Sequence, residues 1–230
     1  MIKLPSMATQ LQRPRLRVVR PALRPLRFPY GPEQVYSAVL LYTAKAAGTA
    51  VKTQVIPNLK ALTTYAGKRL PRADDINERL QELIAALRAE FGVSTRQARR
   101  TALEMLDTVS AIHTNEFVQA YGSALNVNPM VGNETWLPQA MDVVLEENVG
   151  LIKSIPDHLF DDVEKLVSTS LLQGTRVEEL ALQIFARFAV TENRAMLIAR
   201  DQVGKWQGNL NRFRQLDAGI TEYEWLTVGD

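Results

Sequence analysis

Cysteine is absent from all 230 residues, and histidine occurs only at His113 and His158. The first absence removes disulfides, thiol nucleophiles and thiolate metal sites together. The second leaves two side chains able to serve as neutral-pH bases without a perturbed pKa. Acidic residues are missing from the N-terminal segment, the earliest being Glu33, whereas Arg13, Arg15, Arg17, Arg20, Arg24 and Arg27 all precede it. That asymmetry points to an acidic partner for the N-terminus. There is no run of about eighteen apolar residues, and prolines and arginines break any secretory h-region. The chain therefore reads as a soluble, non-secreted protein with no membrane partner. A P-loop, a dinucleotide glycine pattern and Gly-x-Ser-x-Gly are all absent, so neither an enzyme nor a cofactor is expected.

What is present is an ordinary folded composition, 46% hydrophobic and 23% charged with net charge +2, preceded by an unusual leader. Residues 1–32 hold six of the eleven prolines. Proline fixes φ and removes amide donors, so this segment reads as an extended arm without a core of its own. Arg24, Arg27, Phe28 and Tyr30 add anchors of the kind a segment uses when it lies on another protein. The arm's arginines also suit salt-sensitive, sequence-independent DNA contact. The partner-binding candidates are thus Arg13, Arg15, Arg17, Arg20, Arg24, Arg27, Phe28 and Tyr30.

After the arm the period is helical. Gly31-Pro32 opens a helix with Val35, Val39, Tyr42 and Ala46 on one face, ended or bent at Pro57. Asp74 and Asp75 cap a clean amphipathic helix with Ile76, Leu80, Leu83, Leu87 and Phe91, closed by Gly92. Ser94-Thr-Arg-Gln97 is a capping box for a long helix ending at Gly122. A further helix is expected over about 137–152, and Ser154 and Pro156 open the next, which stops at Gly174. Thr175-Arg-Val-Glu178 reads as another capping box, and Thr191 restarts the chain into a last helix that ends at Gly219. Beyond it Tyr223, Trp225 and Thr227 alternate with Glu222, Glu224 and Leu226, the pattern of a strand. A lone strand needs pairing from elsewhere. The fold class is mainly α: a helical bundle with a short C-terminal β element and an extended Arg/Pro-rich arm. It divides into residues 1–32, 33–147 and 148–230.

Chemistry-bearing clusters are few. His113 beside Thr114 and Asn115 reads as a surface or core-edge histidine. His158 with Asp157, Asp161 and Asp162 has the residue types of a hard-cation site, but acids in a helix's first turn are expected from the dipole alone. No metal is assigned. Arg194, Arg200, Lys205 and Asp201 share one helix, where Arg200 or Lys205 can pair with Asp201.

The ordered pieces Asn148-Val-Gly-Leu-Ile-Lys-Ser-Ile-Pro156, Gly174, Arg194-Ala-Met-Leu-Ile-Ala-Arg200 and Gly219-Ile-Thr-Glu-Tyr-Glu-Trp225, closing on Gly229-Asp230, resemble the phage minor head proteins, the Mu F-like head-morphogenesis family. The resemblance covers about the last third of the chain. This chain has Asp201-Gln202 where the family has Thr-Glu, and lacks the Arg-rich turn with His or paired Cys that follows Gly-Asp in relatives. The resemblance implies a structural virion protein that binds the portal, with major capsid or scaffolding protein and phage dsDNA as further partners, working in procapsid assembly, DNA packaging or ejection. It places the protein in the host cytoplasm during assembly and in the phage head near the portal vertex thereafter. It also suggests that Arg194, Arg200 and Asp201 brace their helix against the strand carrying Trp225 and Asp230. From a different class comes a non-specific DNA-binding protein that organises the genome near the packaging vertex.

Overall fold

A computed structural model describes residues 24–60, 73–125 and 134–220. Its α-helices are α1 (Tyr30–Ala50), α2 (Ala73–Phe91), α3 (Thr95–Leu125), α4 (Leu137–Gln173) and α5 (Val177–Asp217). There is no strand among the described residues, and the β element expected after Gly219 lies outside them, as do Trp225 and Asp230.

α4 and α5 are each one helix where the sequence suggests two. Pro156 sits inside α4, although it has no N–H for the carbonyl of Ile152. Pro156, Ile155 and Leu159 are nevertheless buried, so packing on both sides of the proline outweighs one lost backbone bond. The Ser154 hydroxyl donates to the Leu151 carbonyl at 2.7 Å in the turn just before it. Thr191 likewise does not restart the chain: its hydroxyl bonds back to the Arg187 carbonyl at 2.9 Å within a continuous helix. Thr175 is not the cap of α5; Arg176 occupies that position without a side-chain bond. The boundary drawn at 147/148 falls within α4.

Other punctuation follows the sequence. Gly174 and Gly219 adopt φ of 67° and 74°, the left-handed stop that glycine provides without Cβ strain. Ser94 accepts the Gln97 amide at 3.2 Å, as a capping box requires. The stop expected at Gly122 does not occur: α3 runs through it to Leu125. α1 passes without a break into a π-helical turn, Val51–Val55, and a 3-10 turn at Ile56–Asn58 that contains Pro57. The side chains of Asp74 and Asp75 lie outside the described residues.

Two apolar cores lie along the long helices. One gathers Tyr36 and Leu40 of α1, Ala98 and Leu106 of α3, Leu145 and Ile152 of α4, and Val203, Trp206 and Leu210 of α5. The other gathers Val51, Val55 and Leu59 with Leu80, Ile84 and Leu87 of α2, Phe160 and Val163 of α4, and Leu180 and Ile184 of α5. α1 with its π extension, α4 and α5 thus span both cores, while α2 and α3 each cover one, broken at Gly92-Val93-Ser94. α1 runs antiparallel to α5: Gly48 meets the Phe188 ring, and Gly204 faces Phe28.

The buried face of α1 is not the expected one. Val35 and Tyr42 are 69% and 74% exposed, while Tyr36, Leu40, Ala44 and Ala47 are buried. Both stripes have helical spacing. Tyr36 is selected because its hydroxyl finds a buried partner, and Ala44, Ala47 and Gly48 let α5 approach closely.

Candidate functional site: a polar seam and the root of the arm

Two of the motif pieces, 148–156 on α4 and 194–200 on α5, lie side by side in opposite directions. Asn148 donates from Nδ2 to Oε1 of Gln202 at 3.1 Å, and Arg194 donates from Nη2 to the Ser154 hydroxyl at 3.1 Å. Asn148 is fully buried, and its remaining groups are satisfied: Nδ2 also donates to the Val144 carbonyl at 2.8 Å, and Oδ1 accepts the Tyr36 hydroxyl at 2.8 Å. Burial raises the Tyr36 pKa far beyond the usual phenol range, so it is a permanent donor.

The network continues outward. Gln202 Nε2 donates to Glu147 at 3.1 Å and to Asp201 at 3.3 Å. Lys205 completes it at the surface, 3.0 Å from Glu147 and 3.3 Å from Asp201. The hydrogen bond from Lys205 is the main cause lowering the Glu147 pKa, and the same bond raises that of Lys205. Three helices are thereby tied in one register through a buried amide pair that opens onto a solvated ion triad.

A second buried cluster joins α3, α5 and the segment before α4. Arg214, 3% exposed, grips Glu134 through Nε at 2.5 Å and Nη2 at 3.1 Å, reaches Thr114 at 2.8 Å, and lies 2.7 Å from His113 Nδ1. An arginine can only donate, so Nδ1 is the acceptor and the proton of neutral His113 sits on Nε2. Nε2 has no partner. Burial, with the Arg214 charge beside it, lowers the His113 pKa to about 4. Trp136 fastens the same segment, donating to Asp217 at 2.5 Å and packing on Phe213.

The arm's described portion lies on the chain's own body. The Arg27 amide donates to Glu116 at 3.2 Å, and its carbonyl accepts from Gln207 at 2.6 Å. Phe28 packs against the first core beside Gly204, and Pro29 is buried. The side chains of Arg24 and Arg27 are exposed, and Tyr30 is 65% exposed. Arg13, Arg15, Arg17 and Arg20 lie outside the described residues. Phe28 is therefore an anchor in cis.

Of the expected brace, Arg194 engages Ser154 of α4, with its buried Nε unpartnered among the described residues. Arg200 is exposed, and Asp201 pairs with Lys205, one of the two cations proposed for it. Among the described residues these three share no common partner, and the strand they were expected to brace, with Trp225 and Asp230, lies outside them. The acids around His158 also have a different cause from the one expected, because α4 is continuous there and has no first turn for its dipole to favour. Asp157 and Asp161 instead hold Arg88 of α2 at 3.3 and 2.5 Å, and Asp162 lies 3.9 Å from Arg187. No group of three or more potential metal ligands occurs among the described residues, and none of the described helices is long and apolar enough to cross a membrane.

Fold and seam together define a helical bundle organised around a hydrogen-bonded α4–α5 pair. No protein-family profile matches the chain, and no solved structure matches it. Over 103 residues, 45% of this chain, it is 31% identical to a protein of Haemophilus influenzae described as an uncharacterized protein, and that stretch spans 23% of the relative's length.

Proposed function

We propose that the chain is a structural phage virion protein, a minor head protein that docks at the portal vertex and takes part in procapsid assembly and DNA packaging or ejection, making and breaking no covalent bond. The observation that carries this reading is the pairing of the motif pieces. Asn148, Ser154 and Arg194 are among the residues on which the resemblance to the Mu F-like family rests; Arg194 bonds Ser154 directly, and Asn148 bonds Gln202, two residues past the second piece, in the same seam. Gln202, at a departure from the family pattern, supplies a carbonyl acceptor for Asn148 and an amide donor for Glu147, which a carboxylate cannot do both of. In this reading the helical body presents the docking surface, and the arm, rooted at Phe28 and Pro29, lies along portal, capsid or scaffold.

The test is co-purification with the portal protein encoded in the same genome, using the full chain and a deletion of residues 1–23 that spares the Phe28 anchor. Retention of the full chain on portal, with loss or weakening on deletion, is the expected result. Failure of both forms to be retained overturns the proposal. The exposed guanidinium groups of Arg24 and Arg27, without ion-pair partners among the described residues, favour a second reading in which the arm contacts DNA. That reading requires salt-dependent retention on duplex DNA to disappear on deletion while portal retention persists.

A further inference from the structure

α1 and α5 each carry, opposite their buried faces, an apolar stripe that no described residue covers. On α1 it is Val35, Val39 and Tyr42, three or four apart and 69%, 39% and 74% exposed. On α5, Leu182, Phe185 and Ala189 keep the same spacing and Met196 follows two turns on, past Glu192 and Asn193, with Val190 and Leu197 beside them; Leu182 and Leu197 are 70% and 67% exposed. Single exposed apolar residues are normal on a protein surface, but groups of them aligned on one helix face are not.

Charge indicates what covers them. The exposed cations toward the C-terminal end of α1 and its extension are Lys45 and Lys52, and neither has an ion-pair partner among the described residues. Glu179, just before the α5 stripe at its N-terminal end, is likewise without one among the described residues. Laid antiparallel, the two stripes bring the lysine end of one against the glutamate end of the other, with Glu33 near the level of Arg200. The chain already packs α1 antiparallel on α5 in cis, Gly48 against Phe188 and Phe28 against Gly204. An open groove of about 270 Å³ between Leu166 of α4 and Ala186, Arg187 and Val190 of α5 flanks the acceptor stripe, and Tyr42 is the largest side chain on the donor stripe.

We infer that the occupant is a second copy of this chain: the outer face of α1 in one copy docks antiparallel on the outer face of α5 in the next, with Tyr42 seated in the groove. Because the contact uses two different surfaces, each copy keeps one free face, and association is head-to-tail, closing into a ring or continuing as a filament. This does not depend on the portal reading.

Sedimentation velocity of the full chain across a concentration series tests it. The weight-average mass is expected to rise from the 25.8 kDa monomer past that of a dimer. Tyr42→Glu on one face, or Leu182→Glu on the other, should each reduce the protein to monomer while helical circular dichroism is unchanged, both positions being exposed. Mixing the two variants should restore a single contact and give a dimer that grows no further. A two-fold symmetric dimer through one face would be broken by only one of the two variants and left intact by the other, and that result overturns the proposal, as does a wild type that stays monomeric at every concentration. Should either glutamate lower helicity, the pair Lys52→Glu and Glu179→Lys replaces them. Each alone should weaken association about tenfold, and the two together should recover most of it; equal weakening by all three rejects the proposed pairing.

Discussion

At the scale of single residues, the seam separates polar groups that matter energetically from those that do not. Replacing Asn148 by leucine keeps the volume but strands the Tyr36 hydroxyl and the Gln202 carbonyl in a dry interior, at a cost of about 2–4 kcal/mol. Tyr36→Phe removes only the donor and should cost roughly 1–2 kcal/mol. The double variant should cost less than the sum, since each substitution removes the group that the other strands. Denaturant midpoints of the four proteins measure this, and strict additivity would show that the bonds are not coupled. At the other end of the seam, Lys205 is half exposed, and Lys205→Met should shift stability by less than about 1 kcal/mol. His113 offers a different readout. Its folded pKa of about 4 lies below the ordinary 6.5, so above pH 6.5 it is neutral in both states and carries no penalty. Below 6.5 the unfolded chain takes up a proton that the folded chain refuses, and stability falls down to about pH 4, by roughly 3 kcal/mol in all. His113→Gln keeps an acceptor for Arg214 and cannot titrate. Its stability should therefore lose that part of the slope between pH 6.5 and 4, whereas an unchanged slope would assign it to carboxylates alone.

At the scale of elements, the glycines predict opposite outcomes at two positions. A Cβ on Gly92 would lie 2.3 Å from the Arg88 carbonyl oxygen, so Gly92→Ala must shift backbone at the α2–α3 junction. A loss of about 1–3 kcal/mol is expected. A Cβ on Gly208 meets no atom of the described residues within 4 Å, and alanine there should gain up to about 1 kcal/mol from helix propensity. Thermal midpoints moving in opposite directions are the expected result. Helix stops of this kind were readable from the sequence, Gly174 and Gly219 among them, because a left-handed residue is a local requirement. The restarts expected at Ser154 and Thr191 were not, because a hydroxyl that can cap can equally bond back to its own helix, and packing far along the chain decides between the two. The choice between the two stripes of α1 failed for the same reason. Only the tertiary position of Asn148 makes Tyr36 the inward residue. In the seam, Gln202 keeping step with Ala195, Ile198, Ala199 and Val203 was a legible anomaly, a polar side chain on an apolar face. Asn148 as its partner was not legible, since nothing local connects two positions on different helices.

At the scale of the whole molecule, the two cores share three helices, and this fixes how the protein comes apart. α4 and α5, of 37 and 41 residues, each run roughly 55–60 Å at 1.5 Å per residue and contribute to both cores, so neither core can be lost without unravelling half of each long helix. The division at 147/148 suggested by composition and resemblance cuts through α4 and separates Asn148 from Glu147, which meet again only through Gln202. Cooperativity should therefore cross it. Phe160→Ala, in the core that α2 covers, deletes a fully buried ring and should destabilise by about 3–5 kcal/mol. Trp206 lies in the other core, its indole N–H donating to the Leu106 carbonyl at 3.1 Å, yet the tryptophan fluorescence transition should move to lower denaturant by the same amount as the far-ultraviolet circular dichroism of the variant. If the fluorescence midpoint stays at its wild-type position while part of the helical signal is lost early, the cores fold as separate units, and the long helices are connectors between two domains.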